Sequence, residues 1–130
     1  MKLQPCLFAS AIFLMAAGAA ILFFPQELAY FLGSPRLLGG PLIVVKLLAA
    51  ALFALGMLDW MNRFATVGGI YGRPVLMANF TFYFITTITL ARVAFTTGAS
   101  KAHWGGLAIC AFFGTWFAWL LFGRSPGAKP

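Results

Sequence analysis

The sequence predicts an all-α integral membrane protein: a membrane four-helix bundle with a short interfacial helix between its first and second spans. Three observations predict it. Hydrophobic residues make up 62% of the 130-residue chain and charged residues 8%, too little polar surface for a soluble domain of this size. The mean hydropathy is correspondingly high, at +0.95. Four separate stretches also reach the roughly 20 mainly apolar residues that a helix needs to cross the hydrocarbon layer.

The first span is read at residues 3–24. Its Met1-Lys2 start, apolar run and AAGAA cluster also resemble a secretory signal; an uncleaved helix is the reading taken here. PQELAYFLGSP follows, where Pro25 suits a first helical turn, Glu27 complements the helix dipole, Gly33 can stop the helix and Pro35 prevents its return. These signals predict the short interfacial helix. The second span is placed at residues 42–60. A glycine-containing connection with Gly68, Gly69 and Gly72 then ends in Arg73-Pro74, with Pro74 placed to open the third span at residues 75–95. The fourth covers residues 103–122, with Trp104 and Trp119 near its two ends as interface anchors. Residues 1–123 thus read as one four-span domain, and residues 124–130 as a polar tail.

An even number of spans puts both termini on one side, together with the loop between the second and third. That side collects Lys2, Arg63, Arg73, Arg124 and Lys129, against Arg36 and Lys101 in the opposite loops. The positive-inside rule then places both termini in the cytoplasm. The net charge of +7 is scattered at span ends rather than clustered, which fits membrane headgroups and gives no support to nucleic acid as a partner.

Lipid supplies no hydrophobic drive between helices, so close approach depends on small residues. On the fourth span Gly106, Cys110, Gly114 and Ala118 recur every four residues and predict a narrow packing stripe. Ala50 and Ala54 on the second span, and Ala16 and Ala20 on the first, offer the same spacing. The third span carries Asn79, Tyr83, Thr86 and Thr87 on one face. That face is expected to look into the bundle, for interhelical hydrogen bonding or as the polar lining of a ligand or ion site. Phe80, Phe82, Phe84, Phe112, Phe113, Trp116 and Phe117 serve lipid contact or packing, or enclose an apolar pocket for a hydrophobic ligand.

The most polar stretch is LDWMNRFATVGGIYGRP, residues 58–74. Asp59 and Arg63 are four apart and would share a face of a continuing helix. Asn62, Tyr71, Arg73 and Asn79 lie near enough in the chain to complete a cluster. Two readings stand for it: Asp59 and the arginines fix the turn between two helices, or Arg63 and Arg73 hold an anionic group with Asp59 aligning one of them. At the opposite side Lys46 and Arg92 snorkel to headgroups or form a basic vestibule.

Signals for catalysis are weak. His103 is the single histidine, the two acidic residues are Glu27 and Asp59, and no Ser or Cys has a base placed to activate it. GGIYG lacks the features of a phosphate-binding loop. Cys6 and Cys110 show no metal or thiol-exchange spacing. No catalytic residue, metal ligand or cofactor is predicted.

A first span ending in Phe24-Pro25, an amphipathic stretch, a second span rich in small residues and a third closing on ARVAFTTG, Ala91 to Gly98, together resemble the DoxX-like group of small bacterial four-helix membrane proteins. Some members of that group are associated with oxidoreductase complexes or redox homeostasis, so the resemblance implies an accessory subunit in a bacterial plasma membrane. DWMNR and GGIYGRP match no functional motif of the group, and no site residue is carried over. The expectation is a non-enzymatic subunit that works through helix association, as a homo-oligomer or within a larger complex; the alternative is a binder or carrier of a small amphipathic or anionic molecule such as a lipid or quinone, and a membrane enzyme stands third.

Overall fold

The computed structural model describes residues 4–31, 42–65, 70, 72–97 and 101–123. Every element among them is an α-helix: α1 (Gln4–Phe23), α2 (Pro25–Phe31), α3 (Leu42–Met61), α4 (Gly72–Thr97) and α5 (Lys101–Phe122). Four of these are long and apolar enough to cross a membrane. The chain is therefore an all-α integral membrane protein, and its four long helices are compatible with a membrane four-helix bundle.

The helix ends follow local chemistry. Phe24 alone separates α1 from α2, because Pro25 has no N–H to continue the ladder back into α1. Its fixed φ then suits the first turn of α2, where Glu27 meets the positive end of the helix. This is the predicted short helix. At the third span, α4 begins at Gly72 rather than after Pro74. The first four N–H groups of any helix lack intrahelical partners, so a proline in the first turn forfeits nothing. Gly33 and Pro35, Gly68 and Gly69, and the residues from 124 onward lie outside the described residues, as do Lys2 and Arg36.

The described residues group into two compact units, one from Leu7 to Met61 and one from Asn62 onward together with residues up to Cys6. In the first, α1 and α3 run antiparallel, with Ser10 bonded to Asp59, Phe8 against Trp60, and Gly18 close to Ala49 and Phe53. The approach is tight. A Cβ added at Gly18 would stand 2.8 Å from the Ala49 carbonyl oxygen, and one at Gly56 would stand 2.9 Å from the Met15 amide nitrogen. Glycine is required where two helix backbones come this near.

This seam corrects the phase of the expected stripe on each helix. Ala50, Ala54 and Ala16 are exposed and Ala20 is only half-buried, whereas Ala11, Gly18, Ala49 and Gly56 are buried. Moving one position along a helix rotates the contact by about 100°, so an alanine-rich run offers several stripes of equal spacing and only one is used. Ala49, Gly56 and Asp59 share a face at i, i+7 and i+10, and this face is the one that packs.

In the second unit, α4 and α5 also run antiparallel. Tyr83 is stacked between Phe113, 5.1 Å away, and Phe117, 5.7 Å away, with interplanar angles of 20° and 14°. Phe80 meets Phe122 edge to face. The predicted stripe on the fourth span does face α4. Gly114 sits 3.6 Å, from the position of an added Cβ, to the Tyr83 Cβ, and Gly106 faces Leu90 at 3.9 Å. Cys110 is buried and Ala118 is half-buried. These are ordinary van der Waals separations, so the α4/α5 contact is filled by rings rather than closed by backbone.

Candidate functional site

Asp59 lies two residues before the end of α3. It is fully buried, as is Ser10 on α1, and the Ser10 hydroxyl donates to Asp59 Oδ2 at 2.7 Å. A carboxylate cannot be left without donors in an apolar interior. The fold meets that demand with a hydroxyl 49 positions away in the chain. Ser10 was absent from the sequence prediction, yet a signal existed, since it is the single hydroxyl-bearing residue of α1.

The other members of the polar stretch are distributed along the chain that follows. Asn62, Arg63 and Phe64 form a turn closed by the Ala65 amide donating to the Asn62 carbonyl at 2.8 Å. Arg63 is half-buried, and its guanidinium lies over the Phe64 ring, 4.4 Å from the centroid. Such a cation–π contact is worth about 0.5–1 kcal/mol at an exposed site. Arg73 is exposed in the first turn of α4. Tyr71 lies outside the described residues. Asn79 is fully buried and donates from Nδ2 to the Val75 carbonyl at 3.0 Å.

The hydroxyls of the third span are used in the same local way. Thr86 donates to the Phe82 carbonyl and Thr87 to the Tyr83 carbonyl, each at 2.7 Å. Thr89, Thr96 and Thr115 likewise bond to the carbonyl four residues earlier. This back-bonding satisfies a hydroxyl at membrane depth without a partner helix. Among the described residues, no buried side-chain nitrogen or oxygen lacks a hydrogen-bond partner.

A groove of about 380 Å³ opens on the α4/α5 pair, lined by Phe80, Phe84, Thr87, Ala111, Gly114, Thr115 and Ala118. Its volume falls within the usual range for small-molecule sites. Both threonines on its wall already donate to their own backbone, so the surface it presents is apolar. Of the predicted lining residues, Thr87 reaches this groove, while Tyr83 is buried in the aromatic stack beside it.

Lys46 on α3 and Arg92 on α4 are both exposed. Among the described residues, no three of His, Cys, Asp and Glu come together as a metal site requires. Cys6 and Cys110 are free and buried. No protein-family model, curated protein or solved structure matches the chain.

Proposed function

We propose that this protein is a non-enzymatic membrane subunit that acts through helix association, as an accessory or structural component of an oligomer or larger complex in a bacterial plasma membrane, with both termini cytoplasmic. One observation carries the reading: the polar side chains at membrane depth are spent on the chain's own shape. Ser10 and Asp59 bond across α1 and α3, and the threonines of α4 and α5 bond to their own helices. A site for catalysis or transport needs polar groups held ready for something else.

The outer faces support the same reading. On α3, Ile43, Val44, Leu47, Leu48, Met57 and Leu58 are exposed, a wide apolar surface for lipid or for other membrane helices. The resemblance to DoxX-like proteins agrees with an accessory role. Native mass spectrometry of protein extracted gently from its own membrane tests the proposal. An assembly mass that includes further copies or other subunits is expected, and a bare monomer across mild detergents would count against association.

The α4/α5 groove favours a second reading, retention of a small amphipathic molecule. Ala111→Phe would fill the groove. A small-molecule mass that accompanies the native protein and vanishes in this variant would support the reading, whereas a mass retained by the variant would remove the groove as its site.

A further inference from the structure

Where α4 ends and α5 begins, Phe95 and Trp104 meet edge to face, their centroids 5.8 Å apart and their planes at 86°. Each ring has a cation on its own helix face. Arg92 precedes Phe95 by three residues on α4, Lys101 precedes Trp104 by three on α5, and residues three apart on a helix are neighbours. Because α4 and α5 run antiparallel, Arg92 lies about 4.5 Å deeper than the ring pair and Lys101 about 4.5 Å further out, so two long cationic side chains, from two helices, flank one aromatic pair. Arg92 and Lys101 are exposed, and His103 is half-buried beside Trp104.

Depth follows from helix geometry. Arg92 lies twenty residues beyond Gly72, the start of α4, a rise of about 30 Å that matches the hydrocarbon thickness of a bilayer. With Gly72 at one hydrocarbon boundary, Arg92 reaches the other, from which its long side chain extends to the lipid phosphates. Charge adds to this. The chain has two acidic residues, Glu27 and Asp59, and neither lies on α4 or α5, so no carboxylate of these helices offsets the pair.

We propose that the Arg92–Lys101 end of the α4/α5 pair is a binding site for the headgroup of an anionic phospholipid. Arg92 takes the phosphate through its planar fork, and Lys101, further out, adds a point charge. The aromatic pair lies among the headgroups, an interfacial position that amphipathic rings favour. One exposure argues for a lipid rather than a free anion. Ile88, on the same face of α4 and one turn deeper than Arg92, is 53% exposed. An acyl chain below the phosphate would cover it, and inorganic phosphate would not.

The test compares the full-length protein reconstituted in bilayers of equal parts phosphatidylcholine and phosphatidylglycerol, then released for native mass spectrometry. The wild-type protein is expected to retain phosphatidylglycerol in preference. Arg92→Gln and Lys101→Gln should each lower the retained ratio about fivefold, from roughly 1 kcal/mol per cation near an anionic surface, and the double variant about 25-fold. Lys129→Gln, which removes one charge of the same kind from the polar tail, should leave the ratio unchanged. Equal retention of the two lipids by the wild type, or equal loss in Lys129→Gln, would overturn the proposal, since charge in general would then be the cause. Displacement of the lipid by inorganic phosphate would overturn it as well, by showing a site for a free anion. Circular dichroism of each variant checks the fold, and a single variant that failed to fold would leave the other to decide.

Discussion

Alanine at Gly18 separates the two kinds of helix contact in this protein. The added methyl would lie 2.8 Å from the Ala49 carbonyl oxygen, 2.9 Å from the Phe53 amide nitrogen and 3.1 Å from the Phe53 Cβ. Two of these are backbone atoms, which cannot turn aside as a side chain end can. Overpacking of this kind costs about 1–3 kcal/mol, and the rigid neighbours place Gly18 toward the upper end. Against it stands the better helix propensity of alanine, about 1 kcal/mol at most, leaving a net loss of about 1–2 kcal/mol. Gly105 is the reference, because a Cβ there meets nothing within 4 Å and the propensity gain is unopposed.

The expected difference between Gly18→Ala and Gly105→Ala is therefore about 2–3 kcal/mol, or a factor of roughly 30–150 in the unfolding equilibrium. Reversible unfolding in mixed micelles, titrated with a denaturing detergent and followed by circular dichroism, measures it. Gly56→Ala should behave like Gly18→Ala, since its added methyl would stand 2.9 Å from the Met15 amide nitrogen and 3.1 Å from the Ala11 carbonyl oxygen. If either variant were as stable as Gly105→Ala, the α1/α3 seam described above would be wrong.

Three further outcomes are expected. A double-mutant cycle with Ser10→Ala and Asp59→Ala should give a coupling of about 0.6–2 kcal/mol, the range for hydrogen bonds between membrane helices; a coupling of zero in the same unfolding titration would dissolve the pair. Tyr83→Leu should lose about 1–3 kcal/mol, because each of its two stacked contacts is worth about 0.5–1.5 kcal/mol beyond area burial, while Thr115→Val, which gives up one exposed bond within its own helix, should change stability by less than about 0.5 kcal/mol. Cys6 and Cys110, both buried, should react with a bulky maleimide only after denaturation, and rapid labelling of the folded protein at either would contradict their burial.

Much of the architecture was legible from runs of apolar residues, since the length of a spanning segment is set by the bilayer and needs no knowledge of its partners. The break at Pro25 and the α5 stripe of Gly106, Cys110 and Gly114 were legible too, because each rests on local chemistry. The phase of the α1/α3 contact was harder to read. AAGAA and LLAAALFALG contain several small-residue rows of equal merit, and choosing among them requires the partner helix. Gly18 and Gly56 held the information, since glycine is costly in a helix interior and is kept where something must come close. The Ser10–Asp59 bond was hidden for a similar reason: its two ends lie 49 positions apart on different helices, beyond the reach of local spacing.

That bond also bears on why a carboxylate stands at the end of α3. A lone acid at membrane depth is costly, and its presence invites a functional reading. The geometry gives it a structural use that small residues cannot supply. Gly18, Ala49 and Gly56 permit close approach at their own positions and set the distance, but they carry no directional bond to hold the register. A hydroxyl and a carboxylate have to meet at one register, because sliding α3 by a single turn, about 5.4 Å, would break a 2.7 Å bond between two buried groups. Asp59→Leu therefore distinguishes the two uses. If the acid sets register, cysteine pairs placed across the α1/α3 seam should crosslink in several alignments in Asp59→Leu and in one alignment in the wild type. A single unchanged alignment in the variant would show that the glycines are sufficient, and Asp59 would then need another reason to be there.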